Sequence, residues 1–230
     1  MTPNDLVARV RAGHRRLQAL LADLTDSDVR AASPLPGWTR GHVITHLEQH
    51  AHAFARQADH ARRGLLVDVY DGGAPARAAA IEREAGRGAE ELRKAAAEAC
   101  AAIEDAWSRI GDDGWGAPVR YRDATLLDTV YARWREVEVH LVDLGLEYRP
   151  ADWSIEFCDH LVDFLAPRVP AGTHLTLADD DADRRWSIGD GDPVVLRGSA
   201  SDLSAWLAER APARPVAAET GTPPELGPWP

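Results

Sequence analysis

The sequence predicts an α+β protein: a four-helix bundle over residues 1–149, then a small α/β domain with a Pro-rich tail over residues 150–230. Three observations predict it. Long segments of the first part carry apolar residues at spacings of three, four and seven, the stripe of an amphipathic helix. After Arg149-Pro150 the pattern changes to short alternating runs between Gly and Asp turns, as in strands. The length of 230 residues with 45% apolar content suffices for one large domain or two small ones with buried cores.

Taken in order, Asn4 is placed to cap a first helix bearing Leu6, Val7, Val10, Leu17, Leu20 and Leu21. The stretch Ser33-Pro34-Leu35-Pro36-Gly37 breaks it. Thr39 caps a second helix, about Arg40 to Gly64, with Val43, Leu47 and Phe54 on one side. Residues 65–76, with Gly72, Gly73 and Pro75, read as a loop that shapes a pocket and carries substrate specificity. A third helix, about Arg77 to Ile110, is rich in the strong helix formers Ala, Glu and Arg. Its apolar face is Leu92, Ala96, Ala99, Ile103 and Trp107. After a turn at Gly111 to Pro118, Thr125 to Leu146 makes the fourth, with Leu126, Val130, Val137, Leu141 and Leu144 along one side and Gly145 near its end. Four such helices pack most simply as a bundle. In the second part a helix from Ile155 to Val169 precedes three strand-like runs, His174–Leu177, Arg185–Ile188 and Val194–Leu196. The Gly189-Asp190-Gly191-Asp192 turn predicts a hairpin of the last two. Ser201 caps a short helix from Asp202 to Arg210, and from Ala211 an extended tail, anchored by Trp229, covers the surface. No internal repeat is visible.

Composition narrows the function classes. Lys and Arg number 26 against 37 Asp and Glu, a formal charge of −11 that works against nucleic-acid or anionic-membrane partners. No apolar run approaches the ~18–20 residues of a membrane helix. Met1 to Val10 is polar and lacks the features of a secretory signal. Cys100 and Cys158 form neither a CxxC pair nor a disulfide framework, and each reads as a small buried hydrophobe. The expectation is a cytoplasmic monomer or homodimer whose partners are small molecules. Ser-His-Asp and Gly-rich phosphate signatures are absent, so a nucleophile would come from outside the chain.

Chemistry-bearing residues concentrate on two helices. His42, His46 and His50 recur every four positions on the second, with His52 close behind. Each step of four drifts only ~40°, so the three share one stripe. His42 and His50 are ~12 Å apart along the axis, so at most two neighbours can share one ion. Read singly, each is a hydrogen-bonded histidine at the border of the core. On the fourth helix, Glu136 and His140 flank the stripe of Val137, Leu141 and Leu144, while Glu138 points away from it. Alone they make an ordinary i,i+4 hydrogen bond. Joined by one His of the second helix, they form the two-nitrogen, one-oxygen set that suits Zn²⁺ with positions left open. Arg133, three residues before Glu136, reads as a helix-surface salt bridge, or else as a contact beside the metal.

The segments Gly37-Trp38-Thr39-Arg40-Gly41-His42-Val43-Ile44-Thr45-His46-Leu47 and Arg135-Glu136-Val137-Glu138-Val139-His140-Leu141-Val142-Asp143-Leu144-Gly145 resemble those of the mycothiol-dependent maleylpyruvate isomerases. That family belongs to the DinB-like metalloenzyme superfamily, and the resemblance spans nearly the whole chain. It implies a DinB-like bundle whose His46, Glu136 and His140 hold one zinc. The choice of His46 comes from the resemblance, because periodicity brings His50 at least as close to the core stripe. It also implies that Arg77 and Arg210 hold carboxylates of the substrate or of the thiol cofactor. The implied activity is cis–trans isomerisation of maleylpyruvate to fumarylpyruvate with mycothiol. Zinc would deprotonate the thiol, the thiolate would add to the C=C bond, and rotation and elimination would follow. The arginines would offset the charge that develops. Two other functions remain open at this point: a thiol S-transferase acting on another electrophile, and a non-enzymatic metal-binding bundle.

Overall fold

A computed structural model describes residues 1–230, and the chain divides into two compact units, Met1–Glu147 and Tyr148–Pro230. The first contains α1 (Pro3–Leu21), α2 (Asp26–Arg30), α3 (Arg40–Ala61), α4 (Gly73–Glu84), α5 (Ala89–Ser108) and α6 (Leu126–Asp143). Helix α3 packs against α5 and α6, and α1 against the same two, which makes the bundle. Its core is the predicted stripes: Leu6, Val10 and Leu17 of α1, Val43 and Leu47 of α3, Leu92 and Ile103 of α5, Val130, Val137 and Leu141 of α6, all without exposed surface.

Threonines start the helices. Thr2, Thr25, Thr39 and Thr125 each accept the backbone N–H three residues on, and the side chain at that third position returns a bond. The first helix therefore begins two residues earlier than Asn4 would set it, with Pro3 in the first helical position, where its missing N–H costs nothing. The predicted third helix is in fact two, α4 and α5, and α4 starts inside the predicted loop. Helix propensity loses at Gly86-Arg87-Gly88 because Gly favours the turn and the free Ala89 N–H at the head of α5 is taken by Asp26 Oδ1 at 2.8 Å. Helix α2, which supplies Asp26, was not expected. Isolated bridges, Ala32 with Thr39 and Pro118 with Thr125, close the turns that lead into α3 and α6. The two helices that bear the candidate ligands thus enter the bundle alike.

The second unit contains α7 (Ile155–Leu165), β1 (Gly172–Asp179), β2 (Arg185–Ile188), β3 (Gly191–Gly198), α8 (Ala200–Leu207) and β4 (Ala217–Thr220). The sheet order is β2-β1-β3-β4. The hairpin is therefore β1 with β2, and β3 runs parallel to β1, contrary to the expected β2–β3 pair. The Gly189–Asp192 segment is a crossing under the end of β1. Gly191 has φ 135°, and a Cβ there would lie 2.2 Å from the Gly172 carbonyl carbon, so only glycine passes. Two further expectations change. Ser199, not Ser201, caps α8, which stops at Leu207; Arg210 follows a turn in which Glu209 takes φ 52°. Part of the tail is not loose cover but the edge strand β4, antiparallel to β3. No helix is long and apolar enough to cross a membrane.

Candidate metal centre

His46 of α3 meets Glu136 and His140 of α6 with ligand atoms all within 4.8 Å of one another. His46 Nε2 lies 2.6 Å from Glu136 Oε2, and Arg77 Nη2 lies 2.6 Å from His46 Nδ1. A guanidinium only donates, so Nδ1 accepts from Arg77 and Nε2–H donates to Glu136. His140 Nε2 is 3.3 Å from the same carboxylate oxygen, and its Nδ1 is 2.8 Å from Asp143 Oδ2. Asp143 has no exposed surface, which fixes the imidazole with Nε2 toward Glu136. Its carbonyl accepts the Ser33 hydroxyl at 2.7 Å, tying α6 to the turn ahead of α3.

Electrostatics divides the two imidazoles. Burial, helped by the positive charge of His140, pushes His46 down to about 4. Burial acts downward on His140 too, but bonds to Asp143 and Glu136 outweigh it and push that ring up to about 9. Burial alone would raise Glu136, yet the surrounding histidines hold its carboxyl well below the usual carboxylate range. The cluster is thus an ionised carboxylate between a neutral and a cationic imidazole. Its donor set of two nitrogens and one oxygen, with a carboxylate behind one histidine, fits a divalent cation.

The other sequence candidates fall as follows. His42 is spent on the start of α3: its Nδ1 accepts the Thr39 N–H at 3.2 Å and its Nε2 faces Glu82. His50 is buried beside the centre, its ring 6.1 Å from that of His46 and 4.0 Å from that of Phe54, with no partner for Nδ1. His52 lines a separate cavity of about 280 Å³, with Gln49, Arg56, Tyr70, Asp71 and Arg77. Residues of the predicted pocket loop do line it, and Arg77 borders both this cavity and His46. Arg210 lies in the second unit, its Nη1 on Ala208 O at 2.8 Å and its guanidinium 5.6 Å from the Trp229 ring.

Three side chains depart from the sequence-based expectation. Arg133 makes no helix-surface salt bridge; it is fully buried, because α1, α3 and α5 all pack around it and each supplies an acceptor. Glu138 is also buried rather than turned away, and takes two bonds from Arg16 of α1 at 3.1 and 3.0 Å. Asp143 was missed as a partner, although its spacing of three from His140 was the available signal. Both cysteines are buried, and burial raises both thiols, Cys158 to about 11.

The family model for the mycothiol maleylpyruvate isomerase N-terminal domain matches residues 10–145, and that for the MDMPI C-terminal domain matches residues 152–228. Two solved structures are similar over 100% of this chain and 98% of theirs, each with a TM-score of 0.88. One is a mycothiol-dependent maleylpyruvate isomerase, 25% identical; the other is a histidine-to-alanine mutant of a mycothiol-dependent maleylpyruvate isomerase, 24% identical. No curated protein matches the chain.

Proposed function

From the premise that the chain belongs to the mycothiol maleylpyruvate isomerase family, an enzyme family, we propose that it catalyses thiol-dependent cis–trans isomerisation of maleylpyruvate to fumarylpyruvate at a divalent metal, zinc in the first instance. The convergence of His46, Glu136 and His140 carries this reading. When bound, the cation and mycothiol together supply a thiolate whose reversible addition makes the C=C bond single and free to rotate.

The remaining steps belong to the chain. Asp143 keeps Nε2 of His140 aimed at the cluster. His46, Glu136 and His140 would hold the cation, and with His46 Nε2 so used its ring proton would stand at Nδ1, which could then not accept from Arg77. Arg77 Nη2 would then be free beside the buried Nε, which already lacks a partner, and the two together would suit a carboxylate. Tyr70, whose ring lies 5.4 Å from the guanidinium, braces it. Arg210 is the second residue we assign to an anionic group of substrate or thiol. A charged hydrogen bond of this kind is worth ~1.5–3 kcal/mol, so Arg210→Ala lowers kcat/KM about ten- to a hundredfold.

The test is metal analysis joined to a turnover assay with maleylpyruvate and mycothiol. The expected result is about one metal per chain and isomerisation that needs both metal and thiol. Accumulation of a stable thiol adduct instead points to an S-transferase. Metal without thiol-dependent turnover on any electrophile points to a metal-binding bundle.

A further inference from the structure

One fully buried cation in the bundle has no counterion bonded to it. The Arg133 guanidinium is fully buried and bonds at once to each of the three other long helices: Nε to His14 Nε2 of α1 at 3.1 Å, Nη1 to Leu47 O of α3 at 2.7 Å, Nη2 to Cys100 Sγ of α5 at 3.7 Å. All three acceptors are neutral. His14 stays neutral because burial pushes it down to about 4, and its Nδ1–H donates to Glu104 at 2.7 Å. The nearest carboxylate in the network is thus one imidazole away from the guanidinium.

A buried charge of this kind opposes folding, since no bonded counterion offsets the water it gives up. The Leu47 carbonyl does not demand it, since it lies inside α3, where the helix supplies its own donor; His14 Nε2 alone relies on it. What the position offers is nearness to the centre. Arg133 stands one turn before Glu136 on α6, and its anchor Leu47 follows His46 directly. Its charge bears on Glu136 and on His50.

We propose that Arg133 is a positioning residue for the centre: a fixed positive charge held behind the metal ligands so that the loaded site retains anions. The inference rests on the reading of His46, Glu136 and His140 as metal ligands. The need is physical. Glu136, a thiolate and a dicarboxylate together carry more negative charge than one divalent ion offsets, and the chain itself stands at −11.

The test measures a cation and an anion on the same variants. Arg133→Met, Arg133→Lys and wild type are titrated with Co²⁺ and then, loaded, with maleate, and the melting temperature of each metal-free protein is recorded. For Arg133→Met the expected result is Co²⁺ affinity equal to or tighter than wild type and maleate affinity weaker by tenfold or more, while the unpaired His14 Nε2 lowers the melting temperature. Arg133→Lys keeps the charge and recovers most of the maleate affinity. A purely structural pin would weaken Co²⁺ and maleate alike, and that outcome overturns the proposal. Unchanged maleate affinity in loaded Arg133→Met overturns it as well. Should Arg133→Met fail to fold, the metal-loaded Arg133→Lys protein decides: maleate affinity within threefold of wild type supports a charge role, and a tenfold loss overturns it. Wild type that takes up no Co²⁺ overturns both this proposal and the metal reading.

Discussion

At the scale of single residues, the cluster of His46, Glu136 and His140 depends on a carboxylate behind it. The Asp143 carboxylate holds His140, and partners of this kind commonly contribute ten- to a hundredfold to metal affinity. Asp143→Asn should therefore weaken zinc binding by about that factor while leaving the helix content unchanged, as competition with a chromophoric chelator and circular dichroism would show. The same bond sets a pH dependence. With His140 raised to about 9, the metal-free protein carries a proton there at pH 7–8 that a cation must displace. Metal affinity should rise about tenfold per pH unit from 7 toward 9 and then level, with close to one proton released per ion by calorimetry in buffers of different ionisation heat. His46, already neutral above about 4, adds nothing in that window. Affinity flat from pH 7 to 9 would mean that Asp143 does not hold the proton on His140. The residues of the cluster were legible in the sequence because His and Glu recur there at helical spacing, and the family likeness then chose His46 over His50. The burial of Arg133 and the part of Asp143 were not legible, since nothing in a helical repeat separates a charged group that is buried and satisfied from one that faces water.

At the scale of elements, the amphipathic stripes predicted all four bundle helices, and the errors lie where local propensity met a tertiary contact. The Ala-rich third segment reads as one helix until Asp26 of an unforeseen turn captures the amide of Ala89. The β2–β3 hairpin failed because a Gly-Asp-Gly turn marks a sharp change of direction without saying which strand lies beyond it. The α4–α5 turn has a measurable consequence. A Cβ on Gly41 of α3 would lie 2.3 Å from the Ala85 carbonyl oxygen, a backbone atom that cannot step aside. Gly41→Ala should lower the unfolding free energy by about 1–3 kcal/mol, as overpacking does, despite alanine's better helix propensity. Urea denaturation would settle the sign, and a stabilised variant would mean that α3 and the turn stand further apart. In the second unit, Trp229 lies between two guanidiniums, those of Arg168 and Arg210, each 5.6 Å from its ring. Arg168 also clamps the tail through Gly227 O at 2.7 Å. Trp229→Ala removes the stack that orients Arg210 but leaves that clamp. It should therefore raise KM severalfold with little change in kcat, and Trp229→Phe should restore most of the loss.

At the scale of the whole molecule, the question is where the nucleophile comes from. A reactive cysteine needs a lowered thiol pKa and access to solvent. Cys100 has neither: it is buried within the bundle, burial raises its thiol, and its sulfur is already an acceptor for Arg133. Cys158 is buried in the other unit, with its thiol raised to about 11. At pH 7 fewer than about one in a thousand such groups would be thiolate. A chain at −11 also does little to draw an anionic thiol by its overall field, so a thiol that arrives must be held by local cations. The double variant Cys100→Ala, Cys158→Ala should accordingly keep kcat within about threefold of wild type when mycothiol is supplied, and show no turnover without it. Each substitution leaves a small cavity, so a lower melting temperature is expected and does not count against the prediction. Single-turnover assays on thiol-stripped protein give the decisive comparison. Residual isomerisation in stripped wild type that vanishes in the cysteine-free protein would identify one of these thiols as the nucleophile. The sulfur at the centre would then belong to the chain, and the cluster of His46, Glu136 and His140 would have to act on it from within.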